Sequence, residues 1–235
     1  MLQLEHISYA VPEGNGTKTI LKDVSLSLNE RFIVITGPNG SGKSTLAKII
    51  AGILKPTGGK ITFNGTDITD FSITERAKAG ISFAFQQPVR FKGLTVMDLM
   101  NLAAGKRLSV GKVCEYLSEV GLCAKEYVNR ELNASLSGGE LKRIEIAMTL
   151  ARGAKISIMD EPEAGIDLWS FQSLIKVFEK LYRETNDSII IISHQERILN
   201  IADRVIVLEN GSVTADGSKD QVLPAFLSGA CPRIG

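Results

Sequence analysis

The stretch Arg31–Leu54, RFIVITGPNGSGKSTLAKIIAGIL, constrains the fold more than any other part of the chain. Its apolar run Phe32-Ile33-Val34-Ile35 reads as a buried strand. Gly37-Pro38-Asn39-Gly40-Ser41-Gly42-Lys43-Ser44 then fits the spacing G-x-x-x-x-G-K-[ST], and Leu46, Ala47, Ile49, Ile50 and Leu54 continue on one side of a helix. Strand, glycine-rich turn and helix in that order make the motif meaningful, because the glycines let backbone N–H groups curl around a polyphosphate. The helix N-terminus adds unpaired donors and a partial positive charge. Lys43 would reach the β- and γ-phosphates, and Ser44 would place its hydroxyl on Mg²⁺. A chance match in a glycine-rich loop would lack both flanks, so this stretch implies binding of a nucleoside triphosphate.

The rest of the chain must build around that element. With 235 residues, 44% apolar and 23% charged, it is an ordinary globular composition of one large unit or two small ones. A net charge of +1 gives no global pull toward nucleic acid, and no run approaches the ~20 apolar residues of a membrane span. Direct membrane insertion is therefore not expected. The opening MLQLEHISYAVPEG has neither a basic leader nor a long apolar region, which points to a cytoplasmic protein. Cys114, Cys123 and Cys231 form no C-x-x-C pair, which argues for a reducing compartment and against a disulfide frame.

Alternation at Leu2, Leu4 and at Val24, Leu26, Leu28 predicts half-buried strands around the turn signal Glu13-Gly14-Asn15-Gly16. Pro56-Thr57-Gly58-Gly59 is expected to stop the first helix, and Asn64-Gly65 after Ile61-Thr62-Phe63 marks a hairpin. From about 88 to 136 the pattern turns helical. Thr95-x-x-Asp98 resembles a capping box, and Val113, Tyr116, Leu117 and Val120 recur at helical spacing, as do residues from Ala124 to Leu132. The β/α alternation then resumes with a helix after Ser137 and a strand at Ile156–Met159. An amphipathic helix (Phe171, Leu174, Ile175, Phe178, Leu181, Tyr182), the doubly buried strand Ile189–Ile192 and a hairpin at Asn210-Gly211 follow.

Two further places carry chemistry. Leu136-Ser137-Gly138-Gly139-Glu140 precedes a helix, so Ser137, Gly138 and Gly139 form either a second anion site or a simple cap. Asp160 and Glu161 end a buried strand, where a parallel sheet presents its ligands. Asp160 there would support Mg²⁺ and Glu161 would polarise the attacking water. His194 closes the next strand at a position able to touch a γ-phosphate, whereas His6 reads as structural.

In this order the motifs resemble the ATP-binding cassette (ABC) ATPases over roughly residues 1–220. The resemblance implies an α/β fold: a RecA-like phosphate-loop core with an antiparallel β subdomain and an inserted helical subdomain. The core would span about 1–87 and 137–220, the helical part about 88–136 and a tail about 221–235. It makes Gly37–Thr45 the Walker A loop (Thr45 included) and Gln86 the Q-loop glutamine, a metal and catalytic position. Ser137–Glu140 become the signature, Asp160 the Walker B aspartate and Glu161 the catalytic base. Gly165-Ile166-Asp167 would be the D-loop and His194 the switch histidine. Tyr9 falls where an aromatic stacks on adenine, with packing in a strand as the alternative. ATP and Mg²⁺ are the implied cofactors, and an ATP-dependent head-to-tail homodimer the implied assembly.

Within that family, Ala84-Phe85-Gln86-Gln87-Pro88-Val89, His194-Gln195-Glu196-Arg197-Ile198-Leu199 and Ser137–Arg143 are similar to the SufC group of iron–sulfur cluster assembly ATPases, as is the acid Glu163. That likeness implies a soluble SufB/SufD-like scaffold docked on the helical part; the alternative is the nucleotide-binding subunit of a membrane transporter. It also implies that Lys142 latches Glu161 at rest, against the plainer reading of Lys142 as a solvated helix residue. A shorter helical region and Pro162 depart from the common bacterial pattern. A clamp on nucleic acid is disfavoured by the neutral charge balance.

Overall fold

The computed structural model describes residues 1–14, 16–87, 91–132, 136–184 and 187–227. β1 (Leu2–Glu13), β2 (Gly16–Leu28), β4 (Gly58–Phe63) and β5 (Thr66–Asp67) form an antiparallel sheet in the order β2-β1-β4-β5. The β4–β5 turn is the anticipated Asn64-Gly65, with both residues at positive φ (49° and 80°), as a two-residue hairpin requires.

The second sheet runs β10-β9-β3-β8-β7-β6, using β3 (Phe32–Thr36), β6 (Ile81–Ala84), β7 (Ile156–Asp160), β8 (Ser188–Ile192), β9 (Arg204–Glu209) and β10 (Ser212–Ser218). Its strands are parallel except the β9–β10 hairpin. Side chains alternate between faces, and here both faces are covered. Phe32 and Val34 of β3 enter one core with Ile189 and Ile191 of β8. Ile33 and Ile35 enter the other with Ile190 and Ile192. This is why these strands read as unbroken apolar runs.

The first core also takes in α3 (Val96–Ala104), α4 (Val110–Glu119), α6 (Gly138–Arg152) and α7 (Leu168–Glu184); the second takes in α1 (Lys43–Ile50) and the antiparallel sheet. Capping boxes start α2 (Ile73–Ala79), α3 and α6, at Ser72/Glu75, Thr95/Asp98 and Ser137/Glu140. The second and third sit where the sequence pattern places them.

Three local expectations are corrected. α1 ends at Ile50 rather than near Pro56, and Leu54 lies beyond it. Gly52 there is left-handed (φ 77°), and the buried Arg76 guanidinium donates to the carbonyls of Ile49 (2.6 Å) and Ile50 (2.8 Å). A cation at a helix C-terminus completes its last carbonyls and its dipole. α5 (Ala124–Tyr127) is one short turn rather than a helix reaching Leu132; Glu131 bridges to Thr95 and Leu132 N donates to Leu94 O. After α8 (Glu196–Leu199), a last helix α9 (Lys219–Leu227) crosses into the expected tail. Cys231 falls outside the described residues, as do Pro88 and Val89.

Candidate active site

β3 delivers the glycine loop to the C-terminal edge of the parallel sheet. Gly37 has φ 132°, and a Cβ there would stand 2.1 Å from the Leu208 carbonyl oxygen of β9, so only glycine fits. Gly42 caps α1 in a left-handed conformation (φ 102°) with no side chain covering the first-turn N–H groups. These donors and the helix dipole are the elements of an anion cradle. Ser41, beneath the loop, has a buried hydroxyl without a protein partner.

Lys43 crosses the loop and donates to the carbonyls of Gly37 and Pro38, both at 2.8 Å. Burial lowers its pKa, partly offset by the charges of Glu161 and Asp160. Ser44 Oγ donates to Asp160 Oδ1 at 2.9 Å, joining the end of β7 to the start of α1. A hydroxyl and a carboxylate side by side are the hard oxygen donors that suit Mg²⁺, so the residues present fit that ion. A cavity of about 300 Å³ lies over the loop, lined by Asn39, Gly40, Gly42, Lys43, Ser44, Thr45 and Glu161. Lys18 and Ile20 of β2 complete it.

Lys18 and Ile20 were not legible as site residues; only the β1–β2 register brings them there. Tyr9 does not line this cavity. It pairs with Leu21 and packs half-buried on the second core.

Glu161 follows β7 with φ 44°, a left-handed conformation costly for a non-glycine residue, on the order of 1–3 kcal/mol. Glu161 N donates to Ile192 O of β8 (3.0 Å) and Ala164 N closes the turn on Glu161 O (3.0 Å). Its carboxylate accepts from Gln86 Nε2 at 2.6 Å. Gln86 therefore meets the candidate base directly.

Lys142 does not latch Glu161, and it is not solvated either. It is 1% exposed, pairs with Glu145 (Nζ–Oε2 2.9 Å) and donates to the carbonyl of Phe85. Glu145 also accepts from Phe85 N at 3.0 Å. Both backbone groups of Phe85 are thus clamped to α6, one residue before Gln86.

Ser137, Gly138 and Gly139 start α6 at a different place from the cavity over the glycine loop. Glu140 closes the capping box on Ser137 and accepts from Tyr127 OH. Burial pushes Glu140 up, but these hydrogen bonds and Arg130 hold it below the ordinary carboxylate range. His194 is exposed, follows the buried Ser193 and also lies outside that cavity.

A second cavity, of about 350 Å³, opens between β6, α3 and α6. Phe83, Phe85, Phe91, Leu99, Leu102 and Ile144 make it apolar, and Phe85, Phe91 and Leu102 are exposed.

The model of the family described as ABC transporter matches residues 21–164. An uncharacterized ABC transporter ATP-binding protein of Methanocaldococcus jannaschii is 41% identical over 216 residues, covering 88% of this chain and 86% of that protein. A probable ATP-dependent transporter, ycf16, of Pyropia yezoensis is 38% identical over 220 residues, covering 86% of this chain and 87% of that protein. Among solved structures, a dimeric post-hydrolysis ATP-binding cassette bound to ADP and Pi superposes with a TM-score of 0.83 at 27% identity, over 93% of this chain and 99% of that one. A nucleotide-free cassette from an ABC transporter gives 0.80 at 30% identity, over 97% and 95%. With residues 21–164 matched by the family model and most of its length matched by these relatives, the chain belongs to the ABC transporter family, as one of its ATP-hydrolysing cassettes.

Proposed function

We propose that two copies of this chain close head to tail on ATP and that hydrolysis drives a soluble SufB/SufD-like scaffold in iron–sulfur cluster assembly. One observation carries the link between partner and chemistry. Phe85 lines the apolar cavity between α3 and α6, and the next residue, Gln86, holds the candidate base Glu161. A partner seated on that cavity moves Phe85, and through it the hydrogen bond on Glu161.

In the chemistry, Lys43 and the loop N–H groups would bind the β- and γ-phosphates, and Ser44 and Asp160 would hold Mg²⁺, with Gln86 as the further metal position that the family resemblance implies. When bound, Mg²⁺ offsets the charge that develops on the phosphate oxygens. Glu161 takes the proton of a water that attacks the γ-phosphorus, the bond to the ADP oxygen breaks, and ADP leaves with phosphate. His194 steadies the γ-phosphate. From the family resemblance alone, Tyr9 is assigned the adenine contact, although it lies outside the cavity over the loop. Ser137, Gly138 and Gly139 serve the partner chain's nucleotide, which accords with their lying outside the lining of this chain's own cavity.

The scaffold assignment draws on the SufC-like stretches Ala84–Val89 and His194–Leu199. A second reading, a transporter's nucleotide-binding subunit, is favoured by the relatives' names, which include an energy-coupling factor transporter ATP-binding protein 34% identical to this chain. No helix among the described residues is long and apolar enough to cross a membrane, so a permease would be a separate chain under that reading. Affinity purification of the full chain from its own cells separates the two. Recovery of a soluble scaffold supports the first, and recovery of a membrane permease rejects it.

A further inference from the structure

Glu163 and Ser193 are buried polar residues to which the scheme above gives no task. Glu163 is only 8% exposed and Ser193 is fully buried. Ser193 Oγ donates to Glu163 Oε1. The same oxygen accepts from Gln195 N at 3.0 Å, so Ser193 ties the carboxylate to the start of the following loop. Glu163 Oε2 has no hydrogen-bond partner. A buried carboxylate with one oxygen unpaired is costly to the fold, so its place calls for a role.

Topology supplies one. β7 and β8 are neighbouring parallel strands in the register Asp160↔Ile192, so the loops that leave them run side by side. The first carries Glu161, held left-handed; the second carries His194. Glu161 N to Ile192 O joins the two loops at their roots. Glu163–Ser193 joins them again two residues past Glu161 and one residue before His194.

We propose that Glu163 and Ser193 form a buried tie that holds the Glu161 loop and the His194 loop at one spacing, making both of them positioning residues for hydrolysis. The tie touches neither nucleotide nor water. It acts by presenting the base and the γ-phosphate contact to the same reacting centre. This rests on the roles given above to Glu161 and His194.

The test is steady-state hydrolysis and nucleotide binding by the full chain carrying Glu163→Ala, Ser193→Ala, both together, or Glu163→Gln. A small misplacement of reacting groups costs about tenfold to a hundredfold in rate, so each alanine variant should lose kcat on that scale while its Kd for ATP stays near wild type. The double variant should lose no more than the worse single one, because the pair acts as a unit. Glu163→Gln keeps an oxygen for Ser193 and should retain most of kcat, which a purely electrostatic role would not allow. Losses that multiply in the double variant, or a rise in Kd with kcat intact, overturn the tie. Ser193→Ala removes a single oxygen and decides the matter alone should Glu163→Ala fail to fold: wild-type kcat overturns the proposal, reduced kcat with unchanged Kd supports it. Glu161→Gln is measured alongside. If that variant hydrolyses normally, the base assignment falls and the tie with it; if it is dead while Glu163 and Ser193 variants are normal, only the tie falls.

Discussion

Deleting the Glu145 carboxylate while Lys142 stays in place strands an ammonium group inside the protein. Lys142 is 1% exposed and Glu145 only 18% exposed at its side chain, so solvent does not replace the lost partner. Breaking a buried pair from one side costs about 3–5 kcal/mol, because the remaining charge is uncompensated. Glu145→Ala also removes the acceptor for Phe85 N. For a chain of this size each kcal/mol lowers the melting temperature by about 2–4 °C, so Glu145→Ala should melt about 6–20 °C below wild type. Lys142→Met fills a similar volume without a charge and leaves Glu145 bonded to Phe85 N. Its costs are the Phe85 carbonyl left without a donor, about 1–3 kcal/mol, and a Glu145 carboxylate that has lost its cation and keeps Phe85 N. The double variant should therefore melt above Glu145→Ala, since it removes the stranded charge. Differential scanning calorimetry of the four proteins reads all of this. Glu145→Ala within about 2 °C of wild type would refute the reasoning, because Lys142 would then have to be hydrated.

Gly37→Ala should abolish ATP binding, measured by fluorescent-nucleotide titration, since its Cβ would lie 2.1 Å from the Leu208 carbonyl and force the loop off β9; normal affinity would contradict the close approach. Glu163 titrates above the ordinary glutamate value, chiefly through burial. A carboxyl with a raised folded-state pKa favours the fold below its unfolded pKa and loses that contribution as pH rises through the folded value. The charged groups felt by Glu163 are Glu161, which pushes the same way, and His194, which opposes. Glu163→Gln should accordingly raise the melting temperature at pH 8, with the gain shrinking as pH falls through the raised folded-state value and gone below the ordinary glutamate value; a gain independent of pH would contradict this.

Much of the scaffold is legible because its signals are local. Ile33–Ile35 and Ile189–Ile192 announce strands covered on both faces, and Thr95/Asp98 and Ser137/Glu140 announce helix starts through hydrogen bonds made within four residues. The Ser72/Glu75 box has the same form, but α2 carries too few apolar residues to mark the helix behind it; its buried member is Arg76. That arginine also explains why α1 ends early, through carbonyls that lie 26 and 27 residues away in sequence. α9 contains Pro224, which argues against a helix when the sequence is read alone. Within the site, the loop, Ser44 and the acids ending β7 follow from one motif and one strand. Lys18 and Ile20 depend on hairpin register, and the partners of Lys142, Glu161 and Glu163 depend on which strand ends and helix faces the tertiary fold brings together.

The most direct measurement is sedimentation of the Glu161→Gln chain with Mg²⁺ and ATP. If each nucleotide is completed by the Ser137–Gly139 helix start of a second copy, this variant binds ATP, fails to hydrolyse it and sediments at twice the monomer mass, while a Ser137→Arg version of it stays single. A Glu161→Gln chain saturated with ATP that remains a monomer would contradict the shared site.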